Sequence, residues 1–325
     1  MKTEKNFPIV MIIGAGSFGK WHIYSLNSVN YKNYKVVIIE KDLKILQNFK
    51  KEYKKSKNFY FYSKIPSFTL IDILIISTRS ISRLPVLQEL VKKKIKIKHV
   101  IFEKIITHSN LELKKIKRCI DKISPKNCYV NCTRRDYPDY LKLKNKLKNK
   151  NFDFVVSGNL WNFSSNLIHF LDLFHFFKPH KKIIFKNVVF SKKYYQKKYL
   201  LTYGGNATFH IDNSKNIIKI EDSFDKSLPK FFSIKIILNQ NKKIIIDEQN
   251  GKIIHTNLKT NKKVAFEILG QSKLTARMVK NLLANKKINL TKFQDTIQDH
   301  ILVINIFNRF IKKKIKNINR KFYIT

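Results

Sequence analysis

A short apolar run, IVMII at residues 9–13, leads directly into GAGSFG, and a helical pattern, FGKWHIYSL, begins inside it. Three glycines at one strand-to-helix junction constrain this chain more than any other feature. Gly14 predicts a tight turn, Gly16 a backbone open to close approach, and Gly19 a helix packed hard on the preceding strand. An apolar run without alternation is the mark of a strand buried on both faces, which implies a parallel sheet covered by helices on both sides. The rest of the first third keeps that pattern. KVVIIE (35–40), NFYFY (58–62), IDILIIST (71–78), HVIFEK (99–104) and NCYVN (127–131) alternate with helical patterns over 42–55, 81–93 and 110–123. Such alternation predicts βαβ units in a doubly wound sheet.

The pattern then changes. RRDYPDYLKLKNKLKNK (134–150) reads as a helix, FDFVVSGNLW (152–161) as a strand and NLIHFLDLFHFF (166–177) as an apolar helix. From Lys181 to His255 six short strands separated by polar turns predict an antiparallel meander with one face packed. Helices over 272–285 and 291–314 close the chain. The expected fold class is therefore α/β plus α+β. A Rossmann domain over 1–125 precedes a C-terminal α/β domain over 126–325, built on a large, mostly antiparallel sheet.

At 325 residues the chain is long enough for two domains that each bury a core. Its three cysteines, Cys119, Cys128 and Cys132, form no CxxC pair, which argues against a disulfide framework or a zinc ribbon. A reducing, cytoplasmic setting is expected, because neither a cleavable leader pattern nor a run of about 18–20 apolar residues is present. The net charge of +44 raises the possibility of a nucleic-acid partner. The lysines are spread along the whole chain, though, which describes a solvated surface and argues against that partner.

A glycine turn between a strand and a helix, within a βαβ unit, is the context in which G-x-G-x-x-G binds a dinucleotide. The helix N-terminus then offers N–H groups to the pyrophosphate. Glu40, ending the second strand, is placed to hold a ribose diol and to repel a 2'-phosphate, so NAD is expected, with NADP kept open by the adjacent Lys41. The cofactor site is read as Gly14, Gly16, Ser17, Phe18, Gly19, Glu40, Thr78, Arg79, Arg83 and Glu103. Lys104, at the carboxyl end of the fifth strand, is a candidate proton donor or acceptor. His169 and Asp172 stand three apart on one helical face. Adding His175 gives H-x2-D-x2-H, but residues six apart diverge on a helix, so no metal is expected. Arg79, Arg83, Arg134 and Arg135 are candidate grips for a carboxylate or phosphate.

Together, IIGAGSFGKWH, IDILIIST with Arg79 and Arg83 beyond it, HVIFEK, VNCTRRDYP, NLIHFLDL and the closing FYIT resemble the Gfo/Idh/MocA oxidoreductase family, particularly members of surface-polysaccharide and acidic-sugar pathways. The resemblance implies hydride exchange between a nicotinamide and a sugar carbon, and a homo-oligomer formed through the C-terminal sheet. By that likeness Lys104 matches the lysine of a Glu-Lys-Pro motif, and His169 and Asp172 match the H-x-x-D helix. Ile105 replaces the motif's proline, and Ser165 stands where many members carry aspartate. The local S-N-x-I-H pattern is similar to a subgroup linked to nucleotide-sugar or sialic-acid-like substrates. On this reading Lys104 and His169 are the proton-transfer pair, Asp172 and Asn166 orient the histidine or hydroxyls, and Arg135, Tyr137 and Arg83 hold the sugar. The alternatives are a cofactor-binding protein without turnover and a basic nucleic-acid-binding protein.

Overall fold

A computed structural model describes residues 7–28, 33–179, 181–197 and 200–315. In chain order its elements are β1 (Ile9–Ile13), α1 (Gly19–Asn27), β2 (Lys35–Ile39), α2 (Leu43–Glu52), β3 (Phe59–Tyr62), β4 (Leu70–Ile76), α3 (Arg83–Lys92), β5 (Lys96–Phe102), α4 (Asn110–Ile123) and β6 (Asn127–Val130). Next come α5 (Pro138–Leu147), β7 (Asp153–Asn159), α6 (Phe163–Phe177), β8 (Ile183–Lys197), β9 (Leu200–Ile211), β10 (Ile217–Asp222) and β11 (Phe231–Asn239). The chain closes with β12 (Lys242–Asp247), β13 (Lys252–Thr256), β14 (Asn261–Ala265), α7 (Gln271–Leu283), β15 (Thr291–Lys292) and α8 (Ile297–Lys314). The FYIT motif lies outside the described residues. No described helix is long and apolar enough to cross a membrane.

Two compact units emerge, and neither is continuous in sequence. The first takes the chain up to Thr133 together with Leu269–Thr296, and the second takes Arg134–Ile268 together with the residues from Ile297 onward. A single division at residues 125/126 treats each unit as one stretch of chain. Here the late segment 269–296 returns to the first unit, because its apolar residues complete that unit's core.

The first unit is a seven-stranded sheet in the order β15-β6-β5-β4-β1-β2-β3, with every pair parallel except β15 on β6. Six of these strands follow the doubly wound 3-2-1-4-5-6 order, whose direction of winding reverses at β1. The uninterrupted apolar runs are buried as parallel strands demand: Val10, Ile12, Ile38, Ile73 and Ile75 are all fully enclosed. Met278, Val279 and Leu282 of α7, with Ile288 and Leu290, join the same core cluster. Each such burial stabilises by about 1.5–3 kcal/mol relative to exposure. The helix expected over 291–314 is corrected here. Thr291 and Lys292 instead pair with Val130 and Tyr129, a 3-10 turn follows at Phe293–Thr296, and the helix starts only at Ile297. Phe293 stacks obliquely on Phe102 at 5.7 Å, which holds this segment against the sheet edge.

In the second unit an eight-stranded sheet runs β14-β13-β12-β11-β7-β10-β9-β8. It is not the simple meander that the spacing suggests. β7 is inserted between β10 and β11 and pairs parallel with β10, while the other neighbours are antiparallel. Asp153 fixes that register: its Oδ1 accepts from the Ile217 N–H at 2.9 Å and the Asn216 side-chain amide at 3.0 Å. The apolar helix α6 lies against this sheet, burying all of its residues except Asn166, His169 and His175.

Candidate functional site

In the first unit the glycine turn stands at the carboxyl end of β1, between β2 on one side and β4 on the other. Crevices outside strand carboxyl ends, where the winding reverses, are where such folds bind ligands. Gly14 has φ +95°, and a Cβ there would lie 2.8 Å from the Thr78 nitrogen. At Gly19 a Cβ would fall 1.9 Å from the Gly14 carbonyl oxygen, so glycine alone lets α1 start this close to β1. Gly16 differs from both, because a Cβ would have nothing within 4 Å. Gly16, Ser17 and Phe18 are exposed, and no side chain caps the start of α1. The uncapped helix end and the open space at Gly16 make a cradle that fits a dinucleotide phosphate.

The neighbours of this turn are largely the expected ones. Ser77 Oγ donates to the Gly14 carbonyl at 2.6 Å, which locks the end of β4 to the turn and sets Thr78 beside it. Glu40 reaches the turn itself: its carboxylate accepts from the Ala15 N–H at 2.7 Å and from the Asp42 N–H at 3.0 Å. Lys104, only 8% exposed, brings Nζ to 5.7 Å from the Phe18 ring centroid. Arg79 is exposed on the segment after β4.

Two residues assigned to the cofactor are engaged otherwise. Arg83 is buried, and its guanidinium donates to the backbone carbonyls of Thr78 (3.1 Å), Glu103 and Ile105. Burial lowers its pKa to about 10, with Glu103 acting the other way. It therefore braces the backbone that carries Thr78 and Lys104 rather than opening toward a ligand. Glu103 is likewise buried and accepts from Asn131, while His22 Nε2 lies 2.9 Å away and His22 Nδ1 lies 2.8 Å from Thr275 Oγ1. Burial pushes the Glu103 pKa up, but His22, Asn131 and Arg83 outweigh it and hold the carboxyl below its ordinary value. This Glu103–His22–Thr275 chain links β5 to α1 and α7. Its one sequence signal was a histidine following the glycine motif.

In the second unit Asn166 and His169, three apart on α6, are the open positions of its first three turns, so they face the same way. Asn166 donates to the Trp161 carbonyl at 2.6 Å, which anchors the helix start. Asp172 is not among these open positions. It is 1% exposed and gripped by Arg135, with Nε to Oδ2 at 2.8 Å and Nη2 to Oδ1 at 2.7 Å. Burial raises the Asp172 pKa and Arg135 opposes the rise. The pair is a largely buried ion pair that fixes the Arg135 guanidinium. His175 spends both nitrogens within the unit, 2.8 Å from Asp299 Oδ2 and 2.8 Å from the Lys181 carbonyl. Tyr137 stacks near Tyr140 and Phe266, each at 6.0 Å.

Arg134 turned out to be structural. It makes a bidentate pair with Glu248 (2.7 and 2.9 Å) and lies over the Phe170 ring at 4.7 Å. Tyr140 donates to the same carboxylate at 2.5 Å. Burial lowers the Arg134 pKa, but Glu248 overcomes that and raises it. Nothing in the spacing of residues 134 and 248 announced this partnership.

No protein-family model matches the chain, and no curated protein matches it in sequence. Solved structures do match its fold. A Gfo/Idh/MocA family oxidoreductase from Vibrio cholerae is similar with a TM-score of 0.68 and 14% identity, over 94% of this chain and 99% of that one. The UDP-N-acetylglucosamine 3-dehydrogenase of Acidithiobacillus ferrooxidans is similar with a TM-score of 0.68 and 12% identity, over 92% and 97%. The transcriptional regulator Gal80p of Kluyveromyces lactis reaches a TM-score of 0.74 at 13% identity, over 95% and 91%. The shared property at these identities is the fold.

Proposed function

We propose that this chain, which has the fold of the Gfo/Idh/MocA oxidoreductases, is an NAD-dependent oxidoreductase acting on a hydroxyl-bearing carbon of a sugar or nucleotide-sugar. The observation that carries the reading is the glycine turn at the reversal point of the sheet, with open space at Gly16 and Lys104 beside Phe18. Gly14, Gly16, Ser17, Phe18 and Gly19 would hold the dinucleotide phosphates, with Thr78 and Arg79 alongside. Glu40 would accept from the ribose hydroxyls, and its charge would disfavour a 2'-phosphate. When bound, the nicotinamide supplies or accepts the hydride.

The chain's own residues then manage the proton. Lys104 is a group assigned to hold and move the hydroxyl proton, and His169 carries the same assignment through its match to the H-x-x-D helix. Arg135 and Tyr137, with Asn166, would position the sugar. Arg83 and Glu103 shape this site through the backbone and the His22 chain rather than by contact with the cofactor. The dehydrogenation of a nucleotide-sugar by one protein of this fold supports the substrate class. Exposed Val189, Tyr194 and Tyr195 on the edge strand β8 support self-association through the larger sheet, which light scattering of the full chain tests.

NADH fluorescence titration tests the first half of the proposal. Wild type should bind and Gly16→Val should not, and absence of binding by wild type ends the dinucleotide reading. Turnover is tested by the 340 nm absorbance change with free and nucleotide-activated acidic sugars. Lys104→Ala and His169→Ala should each abolish it while leaving NADH affinity intact, and unchanged rates in both refute the assignment. A second reading, cofactor binding without turnover, draws on the likeness to a transcriptional regulator and on Ile105 and Ser165 at two motif positions. NADH binding with no turnover across the sugar screen would favour it.

A further inference from the structure

Within the second unit, the C-terminal end of α5 and the hairpins β12–β13–β14 enclose a cleft of about 300 Å³. Lysines line it from three sides, Lys146 at the end of α5, Lys242 on β12 and Lys262 on β14, with the His255 ring of β13 between them. Ile244, His255 and Lys262 stand directly opposite one another across three strands, so their side chains share a face. Ile244 is 5% exposed and gives the cleft an apolar floor. Among the described residues none of those lining it is acidic.

A chain with 66 basic residues shows lysines on every surface, and lysine count alone says little. Elsewhere, though, carboxylates answer some of them, as in Lys98–Asp72 at 2.7 Å and Lys117–Asp121 at 2.9 Å. Here the field is uncompensated, and His255 registers it. Burial lowers its pKa, and Lys146, Lys262 and Lys242 lower it further. A concave wall of one charge sign focuses the potential and attracts anions. A multivalent anion is favoured over chloride because its several oxygens can accept charge-assisted hydrogen bonds from more than one lysine at once.

We propose that this cleft is a binding site for a diphosphate, free or as a diphosphate ester, held by Lys146, Lys242 and Lys262. Its volume is at the small end of ligand pockets, which suits a compact anion. The site is independent of the glycine turn, which belongs to the first unit, and it does not rest on the oxidoreductase reading.

The test is calorimetric titration of the full chain with inorganic pyrophosphate, with the His255 ring resonance followed by NMR. Lys242→Gln/Lys262→Gln should weaken binding by about tenfold or more, as expected when charge-assisted hydrogen bonds are removed. It should also abolish the His255 shift seen in wild type. Lys114→Gln/Lys115→Gln, on exposed positions of α4, makes the same charge change and should leave both readouts unaltered. Both pairs are exposed, so neither substitution threatens the fold. Equal weakening by the two pairs, or an unmoved His255 resonance in wild type, would overturn the proposal in favour of diffuse attraction. A parallel titration with ADP distinguishes sources: tighter binding than pyrophosphate, lost in Lys242→Gln/Lys262→Gln, identifies the ester, and equal or weaker binding with the same loss identifies free diphosphate.

Discussion

Gly16 and Gly19 stand three residues apart and meet opposite surroundings. A Cβ at Gly16 would project into open space, whereas one at Gly19 would collide with the backbone of Gly14. The same substitution type should therefore separate binding from folding. Gly19→Ala should destabilise the protein by about 1–3 kcal/mol or more, the range for overpacking a tight contact, seen as a lowered urea midpoint. Gly16→Val should leave that midpoint within error of wild type. An undisturbed Gly19→Ala protein would mean that α1 does not sit on the turn as closely as described. Arg83 and Asp172 teach a related lesson at this scale. Spacing placed both near ligand chemistry, but burial turned their charges inward, toward backbone carbonyls and toward Arg135.

Helix α6 meets helix α8 through the His175–Asp299 pair, which joins two elements more than 120 residues apart in the same unit. Burial alone would lower the His175 pKa, but the Asp299 carboxylate and the Lys181 carbonyl stabilise the charged ring and raise it. A group whose folded pKa exceeds its unfolded value stabilises the fold fully below the unfolded value, about 6.5 for histidine, and that contribution is lost as pH rises through the folded value. The stability gap between wild type and His175→Gln should therefore be widest near about pH 5.5 and should narrow by about pH 9, measured by urea denaturation. A gap that widens with pH would reverse the assigned direction.

For the whole molecule, the first unit depends on a segment that the chain delivers only after completing most of the second. α7 packs on α1, with His22 reaching Thr275 and the Ala276 N–H donating to Ser25 Oγ at 2.9 Å, while Met278, Val279 and Leu282 fill the core. A chain truncated after Thr133 should lack cooperative unfolding and bind a hydrophobic dye, whereas residues 1–133 joined by a flexible linker to 269–296 should unfold in one transition. Cooperative unfolding of 1–133 alone would show the late segment to be dispensable. The charge of +44 acts on the entire molecule by self-repulsion, which salt screens. The melting temperature should rise between about 0.05 M and about 0.5 M NaCl, where the Debye length falls below the spacing of surface lysines.

The strands of the first unit were legible in the sequence because a parallel sheet buried on both faces requires uninterrupted apolar runs, and Gly14 and Gly19 were legible because a side chain at either would collide with the turn. Local periodicity likewise marked α6 as an apolar helix, while its open positions at Asn166 and His169 came from the packing. What local pattern cannot encode is which distant segments meet. The return of 269–296 to the first unit, the insertion of β7 between β10 and β11, the pairing of Arg134 with Glu248 and the turning of Arg83 toward the carbonyls around Lys104 all depend on long-range burial. A buried polar group must find whatever partner the packing brings to it, and that partner is set by the tertiary structure rather than by spacing along the chain.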